Sequence, residues 1–467
     1  MAGSDSNWGL VGEAEAFSIL EDALRGSTAD ATELVLLGDT THVTRYANSE
    51  IHQNVSQVNR RIAVRVAVGQ ASARVYTNSL DVADLRRAIE DAVQLARLQS
   101  PNPRFLGLPA PEGGYDPVPN PPQSFFASTA GLSPADRAEA VGRIIDAAAA
   151  ERYTAFGTYR ASASELAVVS STGIRAYAPF TTAYLKALVE GPGGTGFGDA
   201  YDRDADTLDA GRVAAQAVAK CRANHDQREI HPGDYPAIFD PDAVADMVRF
   251  PAVWGMGARQ VLDGQSFMSG RLGERVAGDA VSIWDDPNDP RCLPLPIDYE
   301  GLPSQRVDII RNGIAISPVY DYQTAMEGGA RSTGHAEAPF GDFFSGPAAD
   351  HIVTPTGTAS VEQMVANVER GVWVTRFHYT HTPDPKRVIA TGTTRDGTFL
   401  IENGQVVAAL KNLRLEMDVL DLLSSLQEAG EGKLCQDWWA ANGMSTTNYF
   451  VPSMRFGRCT FTGVTTF

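Results

Sequence analysis

The apolar positions of this chain change their period along its length. Between Ala16 and Arg25 they recur at helical spacing and predict a short amphipathic helix, whereas Glu33 to Leu37 is an apolar run of strand length. Ile62, Val64, Val66 and Val68 alternate with residues that include Arg65, meet Gly69 and Gln70, and resume in a return run through Val75. Period two on both sides of a glycine turn predicts a hairpin on a sheet with one covered face. Val82, Leu85, Ile89, Val93 and Ala96 bring back helical spacing over Asp81 to Leu98. Ser133-Pro134 followed by Asp136 supplies an N-cap, a first-position proline and an acid in the first turn of another helix. Thr154 to Glu190 reads as several strands with Ser171-Thr172-Gly173 as one turn, and Leu208 to Cys221 as a further helix.

Two segments interrupt this pattern. Ser100 to Pro122 is rich in Pro and Gly and predicts a long irregular connection, and His225 to Pro236 has the charge and Pro/Gly content of a linker. Beyond it, Pro251 is read as the start of a helix that runs to Gly264, with Val253, Gly257, Val261 and Leu262 on its inward face. The remainder is short strand patterns broken by Gly, Pro and Asp, with one more helix at Ser360 to Arg370. The expected fold is α+β: a mixed α/β N-terminal domain over 1–225 and a β-rich, barrel-like C-terminal domain over 226–467.

Composition narrows the function classes. The 467 residues, 43% hydrophobic and 21% charged, suit ordinary globular cores. A net charge of −18 without a dense Lys/Arg cluster argues against nucleic acid as a partner. No signal peptide pattern and no run of ~18 apolar residues is found, so the expected location is cytoplasmic, with no membrane partner. Cys221, Cys292, Cys435 and Cys459 lie far apart with no CxxC, which fits reduced thiols better than a zinc clip or disulfide framework.

Gly191-Pro192-Gly193-Gly194-Thr195-Gly196 satisfies GxGxxG formally, but aspartates follow where a helix should open on pyrophosphate, so a chain-turning loop is the better reading. His378 and His381 are three apart in a segment whose neighbours favour extended structure, which turns them to opposite faces. His335 and Glu337 have the spacing of a deaminase HxE without its PCxxC. No GxSxG is present.

The order of several segments carries a resemblance. Ala47 to Gly69 (ANSEIHQNVSQVNRRIAVRVAVG), Ile230 to Val244 (IHPGDYPAIFDPDAV) and Thr394 to Leu415 (TRDGTFLIENGQVVAALKNLRL) resemble successive parts of the TldD/PmbA (TldD/TldE) metallopeptidase family. From Gly264 onward, DG, FMSGRLGERVA and VSIWDDP are similar to the stretch after the HExxxH helix of TldD. A metallopeptidase helix needs two His on one face and a Glu to deprotonate the bound water. Counted back from Gly264, those positions hold Gly255, Met256 and Gln260, and none of the eight histidines lies between Phe250 and Asp286. The chain thus resembles the TldE (PmbA) branch, which keeps the fold and lacks the motif.

That resemblance implies a subunit with no catalytic residue, metal or cofactor of its own, paired with a TldD-type partner that carries HExxxH and zinc. Together they would cleave small or unfolded peptides, including precursors of peptide natural products. TldD takes a third ligand from a C-terminal cysteine; Cys435 stands in that region, where a core thiol is the simpler reading. Gly264, Ser269, Gly270, Gly328, Gly329 and His335 fall in glycine-rich stretches, Gln265 to Glu274 and Met326 to Ser345, that resemble loops lining the family's peptide cleft. Two other classes stay open: a freestanding enzyme of this fold with non-HExxxH chemistry, and a peptide-binding scaffold.

Overall fold

The computed structural model describes residues 8–111, 118–340, 346–437 and 446–465. Parts of the expected Ser100 to Pro122 connection and of the Met326 to Ser345 stretch lie outside these residues. Among the described residues no helix is long and apolar enough to cross a membrane.

In the first half the order is α1 (Glu13–Leu24), β1 (Ala31–Ala47), β2 (Glu50–Val68), β3 (Ala71–Thr77), α2 (Val82–Leu98), α3 (Ala127–Ala130), α4 (Pro134–Ala150), β4 (Thr154–Ser170), β5 (Arg175–Gly191), β6 (Gly194–Asp202) and α5 (Ala210–Ala223). The six strands form one antiparallel sheet in the order β3-β2-β1-β4-β5-β6. Helix α4 begins as its sequence predicts: the Ser133 hydroxyl accepts from the Asp136 N–H, and the Asp136 carboxylate accepts from the Ser133 N–H.

The hairpin is not on a sheet with one covered face. Leu34, Leu36, Ile62, Val64 and Val66 pack under α1 and α2, while Val35, Leu37 and Ala63 pack against Leu295 and Leu302 of the second half. Arg65, on that second face, donates at 2.9 Å both to Glu33 and to Glu300. The alternation hid this because a buried charge with two carboxylate partners reads in sequence like a solvated one.

The glycine-rich run closes the β5–β6 hairpin, with Gly193 at φ +97°. Gly194, Gly196 and Gly198, alternate residues of one face of β6, lie against the backbone of α5. A Cβ on Gly196 would stand 2.1 Å from the Ala217 carbonyl oxygen and 2.2 Å from the Cys221 nitrogen. These glycines let a helix rest on a strand, and no phosphate cradle is needed to explain them.

The second half holds β7 (Gly233–Phe239), α6 (Pro241–Gly255), α7 (Ala258–Leu262), β8 (Ile283–Asp285), β9 (Val307–Arg311), β10 (Ile314–Ala315), α8 (Tyr322–Gly328), β11 (His351–Val353) and α9 (Val361–Ala366). It continues with β12 (Arg370–Asp384), β13 (Ile389–Glu402), β14 (Gln405–Ala409), β15 (Leu413–Asp418), α10 (Val419–Ser424), β16 (Leu426–Gln436) and β17 (Asn448–Val464). Strand β7 pairs in parallel with β12 and antiparallel with β17, closing the circuit β7-β12-β13-β15-β17 into a ring. Its interior, with Phe239, Val372, Val374, Leu415 and Phe456, joins α6 in the largest core. The expected mixed α/β first half and curled, barrel-like second half are the observed fold.

Two helices differ from their predictions. Asp240-Pro241 supplies the cap and first residue of α6, so Pro251 sits inside the helix instead of starting it. The helix stops at Gly255 because the Met256 carbonyl and the Ala258 N–H both pair with Val319, at 2.9 Å each. Gly257 is extended there (φ −82°, ψ 143°), and α7 begins afresh at Ala258. The predicted helix at Ser360 to Arg370 is likewise shorter: α9 is capped by Ser360 and gives way to β12 at Arg370.

Candidate functional site

Between the first sheet and the ring lies a polar cleft with about 80 Å³ of water-accessible space. Strands β5 and β6 contribute Tyr184, Lys186 and Asp199, helix α6 contributes Asp242, Asp246 and Arg249, and β12 contributes Arg376 and Phe377. Gln436, Asp437 and Tyr449 close it from the third side. On α6 the three charged residues recur at i, i+4 and i+7, one stripe of an otherwise apolar helix.

The floor is an ion-pair network around Lys433. Its ammonium, on β16, contacts Asp199 and lies 2.8 Å from Asp242. Burial disfavours that charge, yet the two carboxylates outweigh it and hold the Lys433 pKa well above its ordinary value. Asp199 is pushed up to about 6, by burial first and by Asp242 next. Arg249 Nε lies 3.3 Å from Asp437, Thr380 donates to Asp246, and Arg376 Nε donates to Asp396 at 2.5 Å.

Cys435 is fully buried beside this floor, and burial followed by Asp242 pushes its thiol well above the usual range. A zinc site built on a cysteine needs its thiolate with imidazole or carboxylate ligands around one open point. Here an ammonium stands between the nearby carboxylates. Among the described residues no group of three or more His, Cys, Asp and Glu is arranged to hold a metal ion. The residues around Cys435 do not fit zinc.

The residues singled out in the sequence are dispersed. Gly255, Met256 and Gln260 do not share a helical face, because the break at Gly257 separates Gln260 from the other two. A Cβ on Gly255 would meet the Phe267 ring at 2.4 Å, so this glycine serves packing. Met256 is fully buried, and the buried Gln260 Oε1 has no hydrogen-bond partner. Gly264 (φ +73°) and Gly270 (φ +72°) turn the chain, and the Ser269 hydroxyl donates to the Val261 carbonyl. Gly328 ends α8 beside Leu262, and Gly329 caps it in the left-handed region. Arg259, paired bidentately with Glu327 and with Asp263, joins these turns. His378 and the exposed His381 lie on extended, irregular β12.

His335 is buried instead of lining an open cleft. Its Nε2 lies 2.8 Å from Asp285, whose other oxygen accepts from the His351 N–H at 2.8 Å. Asp285 outweighs the effect of burial and raises the His335 pKa, whereas burial pushes His351 down to about 4. Glu337 is pushed up to about 8, by burial first and Asp350 second. Its folded pKa is above the ordinary 4.5, so its stabilising contribution is complete at acid pH and is lost as pH rises through about 8. Glu337→Gln is therefore expected to flatten the fall of Tm between about pH 5 and pH 8. Parallel Tm profiles for variant and parent would contradict that account.

The sequence reading missed Lys186, Asp199, Asp242, Asp246, Arg249, Arg376 and Lys433 as a group. The charged i, i+4, i+7 stripe on α6 was the local signal available.

A two-sheet chain with a closed ring and a cleft between the sheets is an architecture found among solved structures. The crystal structure of TldE from Thermococcus kodakarensis shares it with a TM-score of 0.85 at 22% identity, over 95% of this chain and 100% of that one. A Thermotoga maritima protein described as a putative modulator of a DNA gyrase gives 0.80 at 18% identity, over 92% and 96%. The profile of the PmbA/TldA metallopeptidase C-terminal domain matches residues 232–463, and that of PmbA/TldA metallopeptidase domain 1 matches 32–96. The chain belongs to the TldD/PmbA metallopeptidase family. A metalloprotease of Methanothermobacter thermautotrophicus is 23% identical over 239 residues, 51% of each chain. A TldD homolog of Haemophilus influenzae is 22% identical over 409 residues, 82% of each. The match spans about half the length of the Methanothermobacter relative and of a Buchnera aphidicola TldD homolog.

Proposed function

We propose that this chain is the TldE-type subunit of a two-subunit peptidase. It binds no zinc, acts in the cytoplasm, and pairs with a TldD-type subunit whose HExxxH helix holds the catalytic metal. Residues 1–225 and 226–467 are its two domains, and the cleft between them forms part of the wall against which small or unfolded peptides lie. The observation that carries this reading is the Lys433 ammonium set between Asp199 and Asp242 beside Cys435. A dication there would face a fixed positive charge, and each neighbouring carboxylate already has a donor. The fold likeness to TldE supports it.

Co-expression with an HExxxH-bearing paralogue is expected to yield a 1:1 complex that contains zinc and cleaves unfolded casein. The chain alone should do neither. Chelator-sensitive cleavage by the isolated chain, with stoichiometric bound metal, would refute the proposal.

A further inference from the structure

Lys186 is the cation of this cleft that its neighbours leave over. Lys433 is held by Asp199 and Asp242, Arg249 by Asp437, and Arg376 by Asp396. Among the described residues no carboxylate lies within ion-pair distance of the Lys186 ammonium. Burial presses its pKa downward and repulsion from Arg376 is the next contribution, which the more distant Asp396 and Asp199 offset only in part. A desolvated ammonium beside a guanidinium, with no carboxylate in direct contact, would gain from an anion that reached both.

Arg376 is set in place before any ligand arrives. Its Nε and an Nη both reach Asp396 Oδ2, the other oxygen of Asp396 accepts from the Thr195 hydroxyl at 2.7 Å, and the guanidinium lies 5.0 Å from the Phe197 ring centre. The aspartates of the cleft do not take the place of a ligand, because Asp199, Asp242, Asp246 and Asp437 are engaged by Lys433, Thr380 and Arg249. About 80 Å³ of free space is room for a carboxylate and a few waters.

We infer that Lys186 and Arg376 form an anion subsite that takes a carboxylate of a bound peptide, either its C-terminus or an acidic side chain. The inference rests on the peptide-handling role proposed above. It adds polarity: the subsite fixes which group of the peptide is held in this wall while another part reaches the partner.

The test is calorimetric titration of the isolated full chain with three peptides. They are acetyl-trialanine with a free C-terminus, its C-terminal amide, and acetyl-Ala-Glu-Ala amide. One or both charged peptides are expected to bind about tenfold more tightly than the neutral amide. Preference for the free C-terminus alone names the terminus as ligand, and preference for the Glu peptide names a side chain; either supports the subsite. Lys186→Met should abolish the preference and Lys186→Arg should retain most of it, with melting curves checking that both variants fold. No preference in the parent overturns the inference, whether or not Lys186→Met folds, and so does a preference that survives in a folded Lys186→Met. No partner is present in this measurement, so its failure and a failure of co-assembly are separate results.

Discussion

Lys433→Met is expected to destabilise the protein by about 3–5 kcal/mol, because it leaves the buried Asp199 and the half-buried Asp242 facing each other without their cation. Asp199 is 3% exposed, and its pKa already stands near 6 with Lys433 in place. Removing the ammonium raises the pKa of Asp199 further, so the variant gains stability as pH falls and this group takes up a proton. Denaturant unfolding at neutral pH and near pH 5 should show the loss shrinking at the lower value. Combining Lys433→Met with Asp199→Asn should recover part of it at neutral pH. A loss below about 1 kcal/mol, independent of pH, would mean that the pair is solvated like a surface ion pair.

Gly196→Ala is expected to cost about 3 kcal/mol, the upper end of ordinary overpacking, or to prevent folding. The added Cβ would meet backbone on α5, the Ala217 oxygen at 2.1 Å and the Cys221 nitrogen at 2.2 Å, and backbone cannot rotate aside as a side chain can. Gly142, inside α4 with nothing within 4 Å of an added Cβ, is the control, since alanine there should stabilise by about 0.5–1 kcal/mol. Chemical denaturation of the two variants reads both effects. A Gly196→Ala protein as stable as its parent would show that α5 can lift from β6 without cost.

What the sequence disclosed follows from how local each determinant is. The Ser133 cap of α4 and the Gly69 turn are each set by residues within a few positions, and each appears where the pattern places it. The break at Gly257 is not local: Val319, some sixty residues on, takes the backbone groups that would have continued the helix. Pro251 misled for a related reason, since a proline is a start signal only when no earlier cap has begun the helix, and Asp240-Pro241 had done so. Arg65 and Glu300 are brought together by the contact between the two halves, which alternation within one hairpin does not encode. The cleft was the least legible part. Its charges come from separate segments, and each looks like a solvated residue until its partner is known.

Strand β7 touches both β12 and β17 and leads directly into α6 through Asp240-Pro241. During synthesis on a ribosome, residues 233–239 emerge long before β17 at 448–464 can pair with them. The cleft helix must therefore wait, attached to a strand that lacks one of its two partners, until more than two hundred further residues have been made. Vectorial assembly puts the wall of the site among the last parts of the chain to become fixed, after the six-stranded sheet it faces is already complete.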